Sequence, residues 1–203
     1  MIKTLIFDFG DVFINLDKQG AIDNALKLFN IKTFSEDMLK INMDYEQGFI
    51  TTDIFLEFYK VNFPQHTENT IIEAWNFILK DFPYHRVEWL KALKNIGNYN
   101  LILLSNTNSL HIDYIKKHVS FYNEFKSLFN AFYLSHKIGM RKPNKNIFQY
   151  VFEQHSLNPN NCLFIDDTIE NTNAAKELGL NVWNIDETSE DVIDLFTIKS
   201  DLF

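Results

Sequence analysis

The chain has few of the residues that staple or loosen a fold. Among its 203 residues there are one cysteine, Cys162, four prolines and six glycines. A lone thiol excludes an internal disulfide framework and any zinc site built on cysteine pairs, and it fits a cytoplasmic protein. The shortage of proline and glycine excludes collagen-like repeats and low-complexity linkers. No window approaches 18 uninterrupted apolar residues, so no transmembrane helix is expected. The early apolar run from Leu5 to Ile14 is broken by Asp8 and Asp11, which does not suit a secretory signal. Basic residues are also scarce: 19 Lys and Arg face 27 Asp and Glu, for a formal charge of -8, and no basic block occurs. Nucleic acid and membrane surfaces are therefore not expected partners. An acidic chain that handles an anion must make positive potential locally, from a metal, a lysine or helix N-termini.

Apolar residues are plentiful, at 46% with 20 phenylalanines, which excludes wholesale disorder and points to an aromatic-rich core. Lys3–Asp8, Leu101–Asn106 and Cys162–Asp167 are short runs, apolar without alternation until they end in polar residues, the pattern of strands buried on both faces. Ala131–Ser135 and Asn181–Ile185 are two further strand candidates. Helical periodicity fills the intervals: Val87, Leu90, Leu93 and Ile96 before Gly97; Leu110 to Val119 behind a capping Asn108; Ile147, Val151 and Phe152; and Glu170 to Leu178 before Gly179. Strand and helix in alternation predict an α/β fold with a doubly wound parallel sheet.

About 90 residues between the first two strands break that rhythm. They hold helical segments Ala21–Phe29, Ser35–Glu46, Thr52–Asn62 and about Glu68–Leu79, with no convincing strand. A crossover needs one helix, so the excess predicts an inserted helical unit. The expected division is residues 1–15 and 83–203 as a Rossmann-like core, with 16–82 as the insertion.

Ligands bind beyond the carboxyl ends of strands in such sheets. Asp8, Ser105 with Asn106, and Asp166 with Asp167 each end a strand there, and Lys142 precedes a helix. Adjacent carboxylates ending a buried strand repel, and a cation relieves this. Acids, a hydroxyl and a lysine on one edge suit an anion together with a divalent metal.

Four segments, Ile6-Phe7-Asp8-Phe9-Gly10-Asp11-Val12, Leu103-Leu104-Ser105-Asn106-Thr107, Arg141-Lys142-Pro143 and Phe164-Ile165-Asp166-Asp167, resemble in order the four motifs of the haloacid dehalogenase superfamily. The insertion is similar in position to that family's helical cap. Within it, Tyr45-Glu46-Gln47-Gly48-Phe49-Ile50-Thr51 resembles a segment of the sugar-phosphatase-like branch, and reads as a helix stop at Gly48 with a new helix capped by Thr51 or Thr52. The resemblance implies a Mg2+-dependent phosphatase acting through an aspartyl-phosphate. It makes Asp8 the nucleophile and places Mg2+ on Asp8, the Gly10 backbone carbonyl and Asp167, with Asp166 beside them. Ser105 and Asn106 would hold phosphate oxygens, and Lys142 would pair with Asp8 and the phosphoryl group. A small phosphorylated metabolite is the implied substrate, and a monomer is expected because the inserted unit itself supplies the closure.

Gly10 departs from the family pattern, which usually places an acid/base aspartate there. Asp11, one residue on, should point elsewhere. A similar glycine occurs in the branch resembling glucose-1-phosphate phosphatases, whose hemiacetal leaving group leans less on acid help. Two other readings accompany the departure: a metal-independent 2-haloacid dehalogenase, and a catalytically weak phospho-ligand-binding protein. Asn171, where a further acid often helps, also suits the latter. Outside the motifs, Ile54, Phe55, Phe58 and Tyr59 read as the insertion's core, Trp183 and Cys162 as packing residues, and His111 and Asp113 as a solvated helix face.

Overall fold

The computed structural model describes residues 1–203. Strands β1 (Thr4–Phe7), β2 (Asn100–Ser105), β3 (Ala131–Leu134), β4 (Cys162–Asp166) and β5 (Asn181–Asn184) form one sheet in the order β3-β2-β1-β4-β5. Every pairing is parallel. Register places Phe7 beside Leu103 and Ile165, so β1 releases Asp8 at the level of Asp166 in β4.

Side-chain alternation explains the unbroken apolar runs. Leu5, Phe7, Leu101, Leu103, Leu163 and Ile165 face one layer, and Ile6, Ile102, Leu104, Cys162 and Phe164 face the other. Helices α5 (Tyr84–Ile96), α6 (Ser109–His118) and α7 (Tyr122–Ser127) cover the first face. The short α8 (Ser135–Ile138) follows β3 directly, while α9 (Lys145–His155) and α10 (Ile169–Glu177) cover the second face. The expected doubly wound parallel sheet is the observed one. Sequence periodicity missed α7 and α8, which are six and four residues long and too short to repeat.

The long interval holds α1 (Lys18–Phe29), α2 (Glu36–Glu46), α3 (Thr52–Asn62) and α4 (Glu68–Asn76). Their starts follow from sequence: Asp17, Ser35, Thr51 and Thr67 each accept a bond from a first-turn amide. These helices pack around their own apolar centre, including Phe29, Tyr45, Phe55, Tyr59 and Ile71. Ile54 is 52% exposed, so that part of the expected stripe faces water. Two chain segments lead into and out of the four helices side by side. Leu16 bridges Leu79, the Asn15 amide donates to Asp81 O, and the Lys80 amide donates to Asn15 O.

The α2–α3 turn rests on the sheet-bearing part of the molecule. Gly48 has φ +71°, and a Cβ there would lie 2.0 Å from the His136 carbonyl oxygen. Only glycine fits both the left-handed backbone and this approach. Gly48→Ala is expected to lower unfolding stability by on the order of 3 kcal/mol, measured by denaturant titration. An unchanged midpoint would show that this contact is not made.

Candidate active site

The strand ends deliver the acids together. Asp8 follows β1, Asp166 ends β4, and Asp167 comes next; one oxygen of each lies within 4.8 Å of the others. Lys142 is completely buried beneath them. Its Nζ lies 2.6 Å from Asp166 Oδ2 and 2.9 Å from Asp8 Oδ1. Burial works against this ammonium, but Asp166 and Asp8 outweigh it and hold its pKa above the usual lysine range. Burial pushes the Asp8 carboxyl up to about 7; Lys142 pulls it down, while Asp166 and Asp167 add to the rise. Burial also raises Asp167, with Lys18 opposing and Asp166 and Asp11 reinforcing. The site carries more negative charge than its own lysines neutralise.

The remaining contacts fix these groups. Asp166 accepts from Lys142, from the Thr168 amide and, with both oxygens, from Asn171 Nδ2. Asn171 therefore has a structural partner without being an acid. Asn106, expected to hold phosphate oxygens, spends its amide differently. Its Oδ1 accepts from the Lys142 amide and its Nδ2 donates to the Lys142 carbonyl, both at 2.9 Å. The side chain clasps the lysine's backbone, and its second Nδ2 hydrogen remains on the side that lines the cavity. Ser105 is buried, and its Oγ donates to the Asn106 carbonyl at 3.4 Å.

Gly10 sits beside the acids, and its carbonyl accepts no hydrogen bond within the chain. A Cβ added there would lie 2.6 Å from Leu16 Cδ1, so Leu16 occupies the space an acid at this position would need. Asp11 has φ +52° and is not one of the three clustered acids. Its carboxylate accepts from the Leu16 amide and pairs with Lys18 Nζ at 2.9 Å. Lys18 also pairs with Asp167. Sequence reading missed Lys18, whose position on a separate helix gives no local spacing signal.

Two cavities meet at Leu16, Lys18 and Asn106. One, of about 360 Å³, opens over the acids. The other, of about 440 Å³, lies between the inserted helices and the sheet domain, with Ile22, Ala25, Phe34, Trp75, Glu46 and His111 in its wall. Glu46 pairs with Arg141 at 3.2 Å, and burial raises its pKa against that partner. Ser135, also missed, is fully buried: its Oγ accepts from the Thr107 amide and reaches the Glu46 carbonyl at 2.6 Å. Asp113 is solvated as expected, whereas His111 is half-buried and hydrogen-bonded to the Trp75 carbonyl.

A parallel sheet with clustered acids and a buried lysine at its carboxyl edge is an arrangement suited to a hydrolase. The profile of the haloacid dehalogenase-like hydrolases matches residues 2–179, and the chain belongs to that family. A D-ribitol-5-phosphate phosphatase from Bacteroides thetaiotaomicron is 26% identical over 191 residues, covering 90% of this chain and 91% of that one. The HAD family enzyme BT-2542 of the same organism, in complex with magnesium and inorganic phosphate, superposes with a TM-score of 0.83 at 34% identity over 97% of this chain and all of that one. A HAD-like hydrolase from Porphyromonas gingivalis gives 0.82 at 27% identity, covering 98% of this chain and 97% of that one. An L-2-haloacid dehalogenase at 16% identity and TM-score 0.62 shares the fold alone.

Burial, helped by nearby His136, drives the His111 pKa down to about 4, with the Trp75 carbonyl opposing. Its unfolded value is about 6.5. The unfolded chain therefore takes up this proton first, and stability is lost as pH falls from about 6.5 towards 4. Denaturant titration across this window should show a shallower loss for His111→Gln than for the native chain; equal slopes would contradict the assignment.

Proposed function

We propose that the protein is a Mg2+-dependent phosphatase that hydrolyses a small phosphorylated metabolite through an aspartyl-phosphate on Asp8. The observation that carries this reading is the convergence of Asp8, Asp166 and Asp167 within 4.8 Å of one another, with the fully buried Lys142 paired to Asp8 and Asp166. Hard carboxylate oxygens and an unpartnered carbonyl suit Mg2+, and Asp8, the Gly10 carbonyl and Asp167 would hold it. When bound, the ion supplies the positive charge that lets an anionic nucleophile approach an anionic phosphate. Asp166, whose oxygens are committed to protein donors, orients Lys142.

In this account an Asp8 oxygen attacks phosphorus and the bond to the alcohol oxygen breaks. The alcohol leaves, taking its proton from solvent, and water then hydrolyses the acyl phosphate. Lys142 holds Asp8 and offers its charge where negative charge gathers. The inserted helices act as the cap, with the alcohol portion of the substrate in the cavity beside Trp75 and Ile22. The D-ribitol-5-phosphate phosphatase relative supports a polyol or sugar phosphate as the substrate class. The metal-independent dehalogenase reading leaves the three carboxylates unexplained.

With p-nitrophenyl phosphate and Mg2+, Asp8→Asn should lower turnover by on the order of 10⁴-fold, and EDTA should abolish it reversibly. Activity that survives EDTA, or survives in Asp8→Asn, would refute the mechanism.

Gly10 leaves the departing oxygen without a carboxyl donor. Turnover should therefore favour glucose 1-phosphate over glucose 6-phosphate. Gly10→Asp, with Leu16→Ala to make room, should raise rates on the 6-phosphate by up to about 10²-fold and change p-nitrophenyl phosphate little. A native preference for the 6-phosphate would remove Gly10 from the explanation.

A further inference from the structure

The two lysines at the site divide its carboxylates between them. Lys142 reaches Asp8 and Asp166, and Lys18 reaches Asp11 and Asp167. Four carboxylates against two ammonium groups leave a formal deficit of two positive charges, which one divalent ion fills. Lys142 is buried and immobilised, whereas the Lys18 side chain is 46% exposed and stands on the first turn of α1. Lys18 Nζ is also the only basic group paired with Asp167, whose other side-chain contact is the Thr168 hydroxyl at 3.5 Å. A cation carried on a flexible stem thus stands on the acid that the proposed metal site needs.

We propose that Lys18 is a tethered counter-ion that occupies Asp167 in the metal-free protein and is displaced from it when the divalent ion binds. Asp11 is its retained partner: the Leu16 amide holds that carboxylate in place, and it gives the displaced ammonium somewhere to stay. The affinity for metal is then set below what the carboxylates alone would give. The same exchange releases one of the ties between α1 and the sheet domain, so the ion and the position of the inserted helices are coupled. This inference rests on the metal site proposed above.

Calorimetric titration of Mg2+ into the full chain at fixed ionic strength tests it, using the native protein, Lys18→Gln, Lys18→Arg and Asp167→Asn. Removing one nearby positive charge should tighten binding in Lys18→Gln by roughly tenfold, after allowance for solvent screening at a half-exposed group. Lys18→Arg, which keeps the charge, should bind like the native chain, and Asp167→Asn should bind far more weakly. Equal or weaker affinity in Lys18→Gln, with native binding still lost in Asp167→Asn, would overturn the Lys18 proposal and leave the metal site standing. Absence of binding by the native chain would overturn both.

Discussion

Repulsion among carboxylates at one edge of the sheet is the constraint on which the rest depends. Asp8, Asp166 and Asp167 are forced together because parallel strands in level register release their next residues at the same height. A site of this charge, removed from water, persists only with cations built into it or recruited to it. Lys142 is the built-in one. Its burial is costly unless both neighbours stay ionised, and the Asn106 clasp and the Asn171 donors keep it and Asp166 in register.

The helical insertion is fixed to this edge by few but specific contacts. Gly48 lets the α2–α3 turn approach the His136 backbone, Glu46 meets Arg141 next to the lysine, and Lys18 reaches back to Asp167. The latter two join the inserted helices to segments that carry site residues. Any displacement of the insertion would be transmitted to the acids and would reshape the cavity walled by Trp75 and Ile22.

The sheet was legible because buried parallel strands are apolar on both faces, and all five candidate runs match strands to within about a residue or two. Helix starts were legible where a side chain caps them, as at Asn108 and Ser35. The acids were legible because each ends or follows a strand, and the lysine because it lies in a motif just before a helix. Lys18, Ser135 and the true partners of Asn106 were not, since their roles arise from contacts between distant segments. His111 misled for the same reason: its own helix suggested a wet face, and α4 supplies the cover. Gly10 stood out as an absence in the sequence, but only the structure shows Leu16 in the space left over.

The central claim is a covalent bond between Asp8 and phosphorus. Borohydride reduces an acyl phosphate to the alcohol, so quenching the enzyme during steady-state turnover would convert Asp8 to homoserine. Peptide mass spectrometry should find that conversion at position 8 only when substrate and Mg2+ are both present. Phosphate release at the full rate with residue 8 always recovered as aspartate, or conversion at another acid, would contradict the account.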